Sequence, residues 1–466
     1  MMATTKKASL VKYLNNSGCE MAKEKTFATY TFGCKVNQEE TAGISGLFVA
    51  HGWQELKFGE AAALYIINTC TVTQLAERKA RSLIRRIIRE HPQTKVVVCG
   101  CYAQIESEEI RKIPGVAIIA GVEERSRLPQ IVDEYMSRQI DVPYVDVADL
   151  SNPRPFTTIN DQSNQRRARA YLKIEDGCNC FCHYCIVPYA RGRVRSLPWQ
   201  QALEQGKKLI AQGHKEIVLT GIHIGAYGSD LDDGSSLPRI TKALTAENGL
   251  VRLRFGSIEP QQVDDQMLQL LQEEKKLCPH LHIPLQSGCD KTLAAMGRRY
   301  DSRFYADLLR RLRQIIPDIA ITTDMIVGFP GESDEDFNQS LDFATQMCFA
   351  KIHVFPYSRR KGTVAAALPE QLPRKIKEER AAQLADVGEK SARQYAELYI
   401  GRRLQMLVEQ PVEYEGKNCY NGTSENYLSL ILPEIAKKSE IISVFGKKYS
   451  AGSLIVAGID KKDGEC

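Results

Sequence analysis

Apolar residues in this chain fall into short runs separated by longer amphipathic stretches, and the rhythm changes twice. Between residues 25 and 140 the runs Thr26–Phe32, Ala62–Asn68, Lys95–Gly100 and Val116–Ala120 read as strands. Helical periodicity begins near Asn37, Gln74, Gln104 and Arg125. Strands alternating with helices predict a small α/β domain with a mostly parallel sheet. The polar stretch that follows, with Pro153 and Pro155 and running to Arg169, holds few large apolar residues and reads as a linker.

The second block, residues 165–398, repeats the strand–helix unit six times. Its strand candidates are Ala170–Glu175, Glu216–His223, Val251–Glu259, His280–Gln286, Ile319–Val327 and Ala350–Tyr357, with helical patterns such as Leu203–Gln212 and Arg303–Ile315 between them. Sequential units of this kind predict a parallel barrel, full or partial, with its chemistry at the C-terminal ends of the strands. A charged helical stretch from Pro373 to about Tyr399 leads to the third block, residues 399–462. There Leu404–Val408, Tyr427–Leu432 and Leu454–Ala457 alternate between Gly and Asn turns, which predicts a small antiparallel barrel or sheet.

Composition narrows the class without naming a partner. A chain of 466 residues with 43% hydrophobic and 26% charged content has material for several domains with their own cores. No apolar run approaches the roughly 20 residues that span a bilayer. The first 25 residues lack the apolar stretch of a secretory signal, so a cytoplasmic protein is expected. In a reducing compartment, 14 cysteines argue for metal or redox chemistry over disulfides. A net charge of +5 permits a nucleic acid partner without requiring one.

The cysteines are not scattered evenly. Cys178, Cys182 and Cys185 stand in the spacing C-x3-C-x2-C directly after a strand candidate. Three thiolates on one loop can hold three corners of a cubane iron–sulfur cluster and leave the fourth iron open. A zinc site is the alternative, with His183 on the same loop as a further ligand. Cys180 does not fit the spacing and reads as a bystander. Cys34, Cys70 and Cys101 each follow a strand candidate of the first block, so parallel neighbouring strands would gather them at one sheet edge. Free core cysteines are the plain alternative. Cys99 lies within an apolar strand, where packing suits it, and is the rival to Cys101.

These segments carry a resemblance. Thr31-Phe32-Gly33-Cys34-Lys35-Val36-Asn37, Asn68-Thr69-Cys70-Thr71-Val72 and Gly100-Cys101-Tyr102-Ala103-Gln104, together with the Cys178–Cys185 loop, resemble the radical S-adenosylmethionine (SAM) methylthiotransferases. The resemblance covers nearly the whole chain beyond residue 25, in the order methylthiotransferase domain (25–140), radical-SAM domain (165–398) and TRAM-like RNA-binding domain (399–462). Lys35-Val36-Asn37, Ile113-Pro114-Gly115-Val116 and the stretch His353 to Thr363 look like the branch acting on N6-threonylcarbamoyladenosine beside the tRNA anticodon. The resemblance implies two 4Fe–4S clusters, one on each cysteine triplet, and SAM as cofactor. It implies replacement of the adenine C2–H by C–S–CH3 through a 5′-deoxyadenosyl radical, with a second SAM supplying the methyl group. It also implies a tRNA anticodon stem-loop as substrate and an electron donor such as flavodoxin. Branches acting on isopentenyladenosine tRNA or a ribosomal protein, and a non-catalytic zinc-dependent RNA module, are the competing readings.

Tyr184 resembles the aromatic that lies near the SAM adenine, and Ser257 and Glu259 end a barrel strand where they could bind SAM hydroxyls or its ammonium. Gln286-Ser287-Gly288 and Gly328 to Glu332 fit site loops or plain turns. Basic residues suited to RNA phosphates are Arg78, Arg81, Arg85 and Arg89 on one helical stripe, then Arg191, Arg193 and Arg195, and Arg359, Arg360 and Lys361. In the last block Asn421, Gly422, Tyr427, Lys447 and Lys448 are further candidates.

Overall fold

A computed structural model describes residues 25–138, 142–159, 167–433, 436–450 and 452–458. Six parallel strands build the first sheet: β1 (Thr26–Thr31), β2 (Gln54–Glu55), β3 (Leu64–Thr69), β4 (Lys95–Gly100), β5 (Val116–Ala120) and β6 (Tyr144–Asp146), in the order β2-β1-β3-β4-β5-β6. Every residue of β3 and β5 is buried, as strands covered on both faces must be. Helix α1 (Lys35–Ala50) packs on one face, and α2 (Gln74–Glu90) follows β3. Thr73 caps α2 by accepting from the Ala76 N–H, and Ala80, Leu83, Ile84 and Ile87 form its buried stripe. The connection past residue 140 is more than a linker. It supplies β6 and then Ile159, which packs against Gly43 of α1.

The central block holds two three-stranded parallel sheets. β7 (Ala170–Lys173), β10 (Glu216–Thr220) and β11 (Arg252–Phe255) form one, in the order β11-β10-β7. β12 (His280–His282), β13 (Ala320–Val327) and β14 (Lys351–Pro356) form the other. Single bridges, Leu253 to Leu277 and Ser257 to His282, join them edge to edge. Among the described residues β7 and β14 do not pair, so the barrel stays open along one side. A short antiparallel pair, β8 (Glu175–Asp176) with β9 (Arg195–Ser196), fastens the base of the cysteine loop between them. The helix Arg374–Glu397 lies against β14, with Gly388 over Ile352.

The last block is a closed barrel of β15 (Arg403–Tyr414), β16 (Lys417–Ser424), β17 (Ser429–Leu432), β18 (Ile441–Ser450) and β19 (Ser453–Gly458). The expectation of a wholly antiparallel barrel is corrected at one seam: β17 and β19 pair in parallel. Their direction follows from β18, which intervenes in the chain and lies on the far side of β19. The barrel docks through buried arginines. Arg252 and Arg254 both pair with Glu216 and donate to the backbone oxygens of Gln405, Thr423, Ser424 and Glu425.

Candidate active site

Cys34, Cys70 and Cys101 follow β1, β3 and β4, which are neighbours in the sheet, and the parallel register brings the three strand ends level. Two glycines make the approach tight enough. A Cβ at Gly33 (φ +103°) would lie 2.8 Å from Cys70 Cβ, and one at Gly100 (φ +92°) would lie 2.2 Å from Asn68 Oδ1. Asn37 ties the loops together by donating to the Phe32 and Thr69 carbonyls at 2.9 and 3.0 Å. Burial pushes the Cys70 thiol up to about 12, with Cys101 and Cys34 adding to the effect. Burial likewise raises Cys101, against the pull of Arg191. What fits an iron–sulfur cluster is the donor set itself, three sulfurs at neighbouring strand ends, each of which would have to give up its proton to the metal. Cys99 is fully buried in the apolar cluster with Phe27, Ile44 and Ile118, a packing role.

The second triad occupies the loop above β7. Cys178 N–H donates to Gly192 O at 3.0 Å and Cys185 N–H to Cys182 O at 2.9 Å, so the loop is folded back on itself. Burial pushes Cys185 up to about 12, with Cys182 contributing, so holding it as a thiolate takes a bound metal. Arg298 donates to Cys182 Sγ at 3.2 Å and pairs with Glu259. His183, the residue offered for zinc, has Nδ1 bonded to Ala295 O at 2.8 Å. Cys180, expected to stand aside, is not isolated: its sulfur and that of Cys178 lie 3.8 and 3.9 Å from His223 Nδ1. Hydrogen bonds from Cys178 and His223 hold the Cys180 thiol well below the usual range.

One side chain from the second domain reaches the first triad. Arg191 ends the short helix Val187–Arg191 that follows the cysteine loop, and its Nε lies 3.1 Å from Cys101 Sγ in the other domain. Its Nη1 meets Glu40 Oε1 at 2.5 Å and its Nη2 meets Asn37 Oδ1 at 2.6 Å. Around it Lys173 bridges Glu40 and Asp176, both at 2.7 Å, Arg125 pairs with Glu40, and Arg195 joins Asp176 to Glu123 at 3.2 and 2.6 Å. Burial alone would raise the Glu40 carboxyl, yet Arg125, Arg191 and Lys173 hold it down to about 2. Three assignments to an RNA-facing surface are thereby corrected. Arg191 and Arg195 are buried in this network, and Arg360 is buried against Glu77 and Thr71. Their partners lie in another domain, so their run along the chain gave no sign of burial. Arg78, Arg85, Arg89, Arg193, Arg359 and Lys361 are exposed, while Arg81 is half-buried and bonded to the Tyr102 hydroxyl.

A cavity of about 170 Å³ lies where the domains meet. Val72 and Thr73 border it from the first sheet, Tyr184 and Cys185 from the loop, and Gln286 and Ile326 from the barrel. Gln286 adopts a left-handed backbone (φ +70°), a costly conformation for a side chain of its size and one that recurs at functional sites. Ser257 is exposed nearby in sequence to Glu259, which is engaged by Arg298. Ser287 and Glu332 are committed elsewhere, to Ser340 and Arg380, as structural turns. Asn421 accepts from the Gln410 N–H, and Gly422 is buried against β15. Sequence reading missed Arg298 and Glu40 and gave His223 no role, because nothing in their local pattern marks them, and it quoted Asn37 only as part of a motif.

Residues 26–121 match the model of an uncharacterized protein family, UPF0004, and residues 172–344 match the radical SAM superfamily. The chain is 39% identical over 407 residues to the threonylcarbamoyladenosine tRNA methylthiotransferase MtaB of Bacillus subtilis (strain 168), covering 87% of this chain and 90% of that one. It belongs to the radical-SAM methylthiotransferase family. The family's cofactors are SAM and 4Fe–4S clusters. The MtaB protein of Thermotoga maritima is 36% identical over 406 residues, covering 87% and 90% of the two chains. A tRNA-2-methylthio-N(6)-dimethylallyladenosine synthase of Acetivibrio thermocellus is 33% identical over 406 residues, covering 86% and 84%. Among solved structures, the radical SAM methyltransferase TsrM from Kitasatospora setae shares the fold (TM-score 0.53, 15% identity, 74% and 77% of the chains covered).

Proposed function

We propose that this enzyme is a tRNA methylthiotransferase that converts N6-threonylcarbamoyladenosine beside the anticodon into its 2-methylthio derivative. The observation that carries the reading is the cavity where the segment after Cys70 (Val72, Thr73) meets Tyr184 and Cys185 of the second cysteine loop. Cys34, Cys70 and Cys101 are the ligands of one cluster and Cys178, Cys182 and Cys185 those of the other. Bound there, the clusters and SAM supply the radical and the methylated sulfur that replace an unactivated C–H bond. The chain's own residues position these groups and keep water away. Tyr184 walls the cavity beside Cys185, where it would lie against the SAM adenine. Glu259, steadied by Arg298, and Ser257 are assigned to the polar end of SAM. The exposed Arg78, Arg85 and Arg89 of α2 and Arg193, Arg359 and Lys361 suit the phosphates of an anticodon stem-loop. Flavodoxin is the class of electron donor expected. No described helix is long and apolar enough to cross a membrane, consistent with a cytoplasmic enzyme.

The test is anaerobic reconstitution followed by nucleoside analysis. About eight irons per chain are expected from two Cys-held cubanes. A tRNA bearing threonylcarbamoyladenosine should gain the 2-methylthio group, and one bearing isopentenyladenosine should not. Stoichiometric zinc without iron, or modification of the isopentenyl tRNA instead, would overturn the reading.

A further inference from the structure

Within the open barrel, side chains from all three blocks meet. Tyr427 reaches in from the C-terminal barrel and stacks on His280 of β12, ring centroids 4.3 Å apart. Its backbone is left-handed (φ +68°), which a bulky residue adopts only when its surroundings impose it. This tyrosine is therefore turned inward, away from the surface role its sequence position suggested. Lys35, the first residue of α1, brings its Nζ over the same ring, 5.4 Å from the centroid, and Arg254 lies on it at 5.1 Å. His353 of β14 and Tyr427 both line a groove of about 960 Å³ that runs from Thr322 to Ser429.

Most charges here are partnered. Glu216 is committed to Arg252 and Arg254, Arg169 pairs with Glu409, and Asp324 Oδ2 lies 3.3 Å from His282 Nε2, an imidazole that neutralises it only when protonated. Lys35 forms no ion pair with any described residue, and three neighbours register its charge. Burial and then Arg254 and Lys35 hold His280 well below the usual imidazole range. His353 is lowered by burial, which outweighs the opposing Asp324 carboxylate, with Lys35 a small further contributor. Against the effect of burial, Lys35, Arg169 and Arg254 bring the Tyr427 phenol down. His282, Asp324 and His353 lie close enough to suggest a cation site, but a metal ion would face this same positive field. Lys35 is the cation here left able to take an external anion.

We infer that Lys35, with Tyr427 beneath it and His353 lining the same space, receives the carboxylate of the threonylcarbamoyl arm. The inference rests on the substrate reading above and adds the group that would distinguish an acidic arm from an apolar one. It is consistent with the layout, because Lys35 follows Cys34 of the strand triad, and Asp324 of the same cluster also borders the cavity beside Tyr184. A half-buried cation left without its anion rejects the uncharged analogue more strongly than an apolar pocket could.

The experiment compares two anticodon stem-loops on the reconstituted full-length enzyme by fluorescence anisotropy. One carries threonylcarbamoyladenosine, the other the same arm with its carboxylate converted to the carboxamide. Wild type should prefer the acid by roughly ten- to a hundredfold, the range of a charge-assisted hydrogen bond. Lys35→Met should erase the preference, Lys35→Arg should keep most of it, and Tyr427→Phe, which retains the ring, should narrow it a few-fold. Thermal melting checks that each variant is folded. A preference that survives Lys35→Met, or is absent from wild type, overturns the inference. Methylthiolation of the acid stem-loop by wild type separates the two failures: product formed leaves the function standing, and no product removes both.

Discussion

Cys178, Cys182 and Cys185 share one loop fastened at its base by β8 and β9, whereas Cys34, Cys70 and Cys101 arrive from three strand ends of a six-stranded sheet. The loop triad closes over a few residues, so little beyond its own turn must be ordered to form it. The strand triad exists only when the first sheet has its register. Each is nevertheless finished the same way, by one arginine donating to one sulfur: Arg298 to Cys182 at 3.2 Å and Arg191 to Cys101 at 3.1 Å. Hydrogen bonds to sulfur tune the potential of an iron–sulfur centre, so with the proposed clusters in place each arginine would bear on the potential of its own site. Arg191 is fully buried between carboxylates of two domains, while Arg298 serves one half-exposed carboxylate. Local assembly and assembly by topology thus carry different structural consequences when broken.

The sharpest break is to remove each triad. Alanine at Cys178, Cys182 and Cys185 should abolish SAM cleavage, whereas alanine at Cys34, Cys70 and Cys101 should leave 5′-deoxyadenosine formation and stop methylthiolation. Iron should fall from about eight to about four in both cases. Next come the arginines. Arg191→Met strips Glu40 and Asp176 of a partner and should cost about 3–5 kcal/mol in urea unfolding, as a broken buried pair does. Arg298→Met should cost less, because Glu259 has water to turn to, and should change only the loop triad's potential by redox titration.

A smaller effect separates two carboxyls at the domain border. Glu40 is held at about 2, below its ordinary 4.5, so its contribution is fully present above pH 4.5 and is lost as pH falls toward 2. Glu175 runs the other way. Burial pushes it up to about 8, although His223 and Ile222 N–H groups bond it, and its Oε1 has no partner among the described residues. The unfolded carboxyl releases its proton near 4.5 and the folded one near 8, so stability should fall as pH rises between those values. Denaturation midpoints across pH 4.5–8 should show a decline that Glu175→Gln flattens, on the order of a few kcal/mol over the window. Least of all, Arg78→Ala and Arg85→Ala on the exposed face of α2 should leave stability within about 0.5 kcal/mol. Each should lower the salt slope of stem-loop binding by about one.

What the chain disclosed in advance follows the same division between local and distant. Lys95–Gly100 and Val116–Ala120 were legible to the residue, because continuous apolar runs bounded by turns have few other uses. The strand-end positions of Cys34, Cys70 and Cys101 were legible for the same reason. Arg191, Arg195 and Arg360 were not, since a charge looks alike in sequence whether it faces water or a buried carboxylate. The partner of Arg360, Glu77, lies 283 residues away. Strand β16 escaped because Lys417–Ser424 holds no apolar run, whereas β18 was passed over although Ile441, Ile442, Val444 and Phe445 open it. The parallel seam of β17 with β19 escaped because strand direction leaves no mark in hydrophobic pattern.

The unpaired edges of β7 and β14 bear on what the enzyme can admit. A fully closed barrel takes in a small molecule through its mouth, and anything attached to a long polymer would have to be threaded. Here the wall is finished by other blocks instead: α1 meets β7 through Glu40 and Lys173, and the helix Arg374–Glu397 lies along β14. The missing seam between first and last strand therefore makes the barrel's lining depend on its neighbours, so a change in α1 reaches the barrel interior without touching a barrel strand.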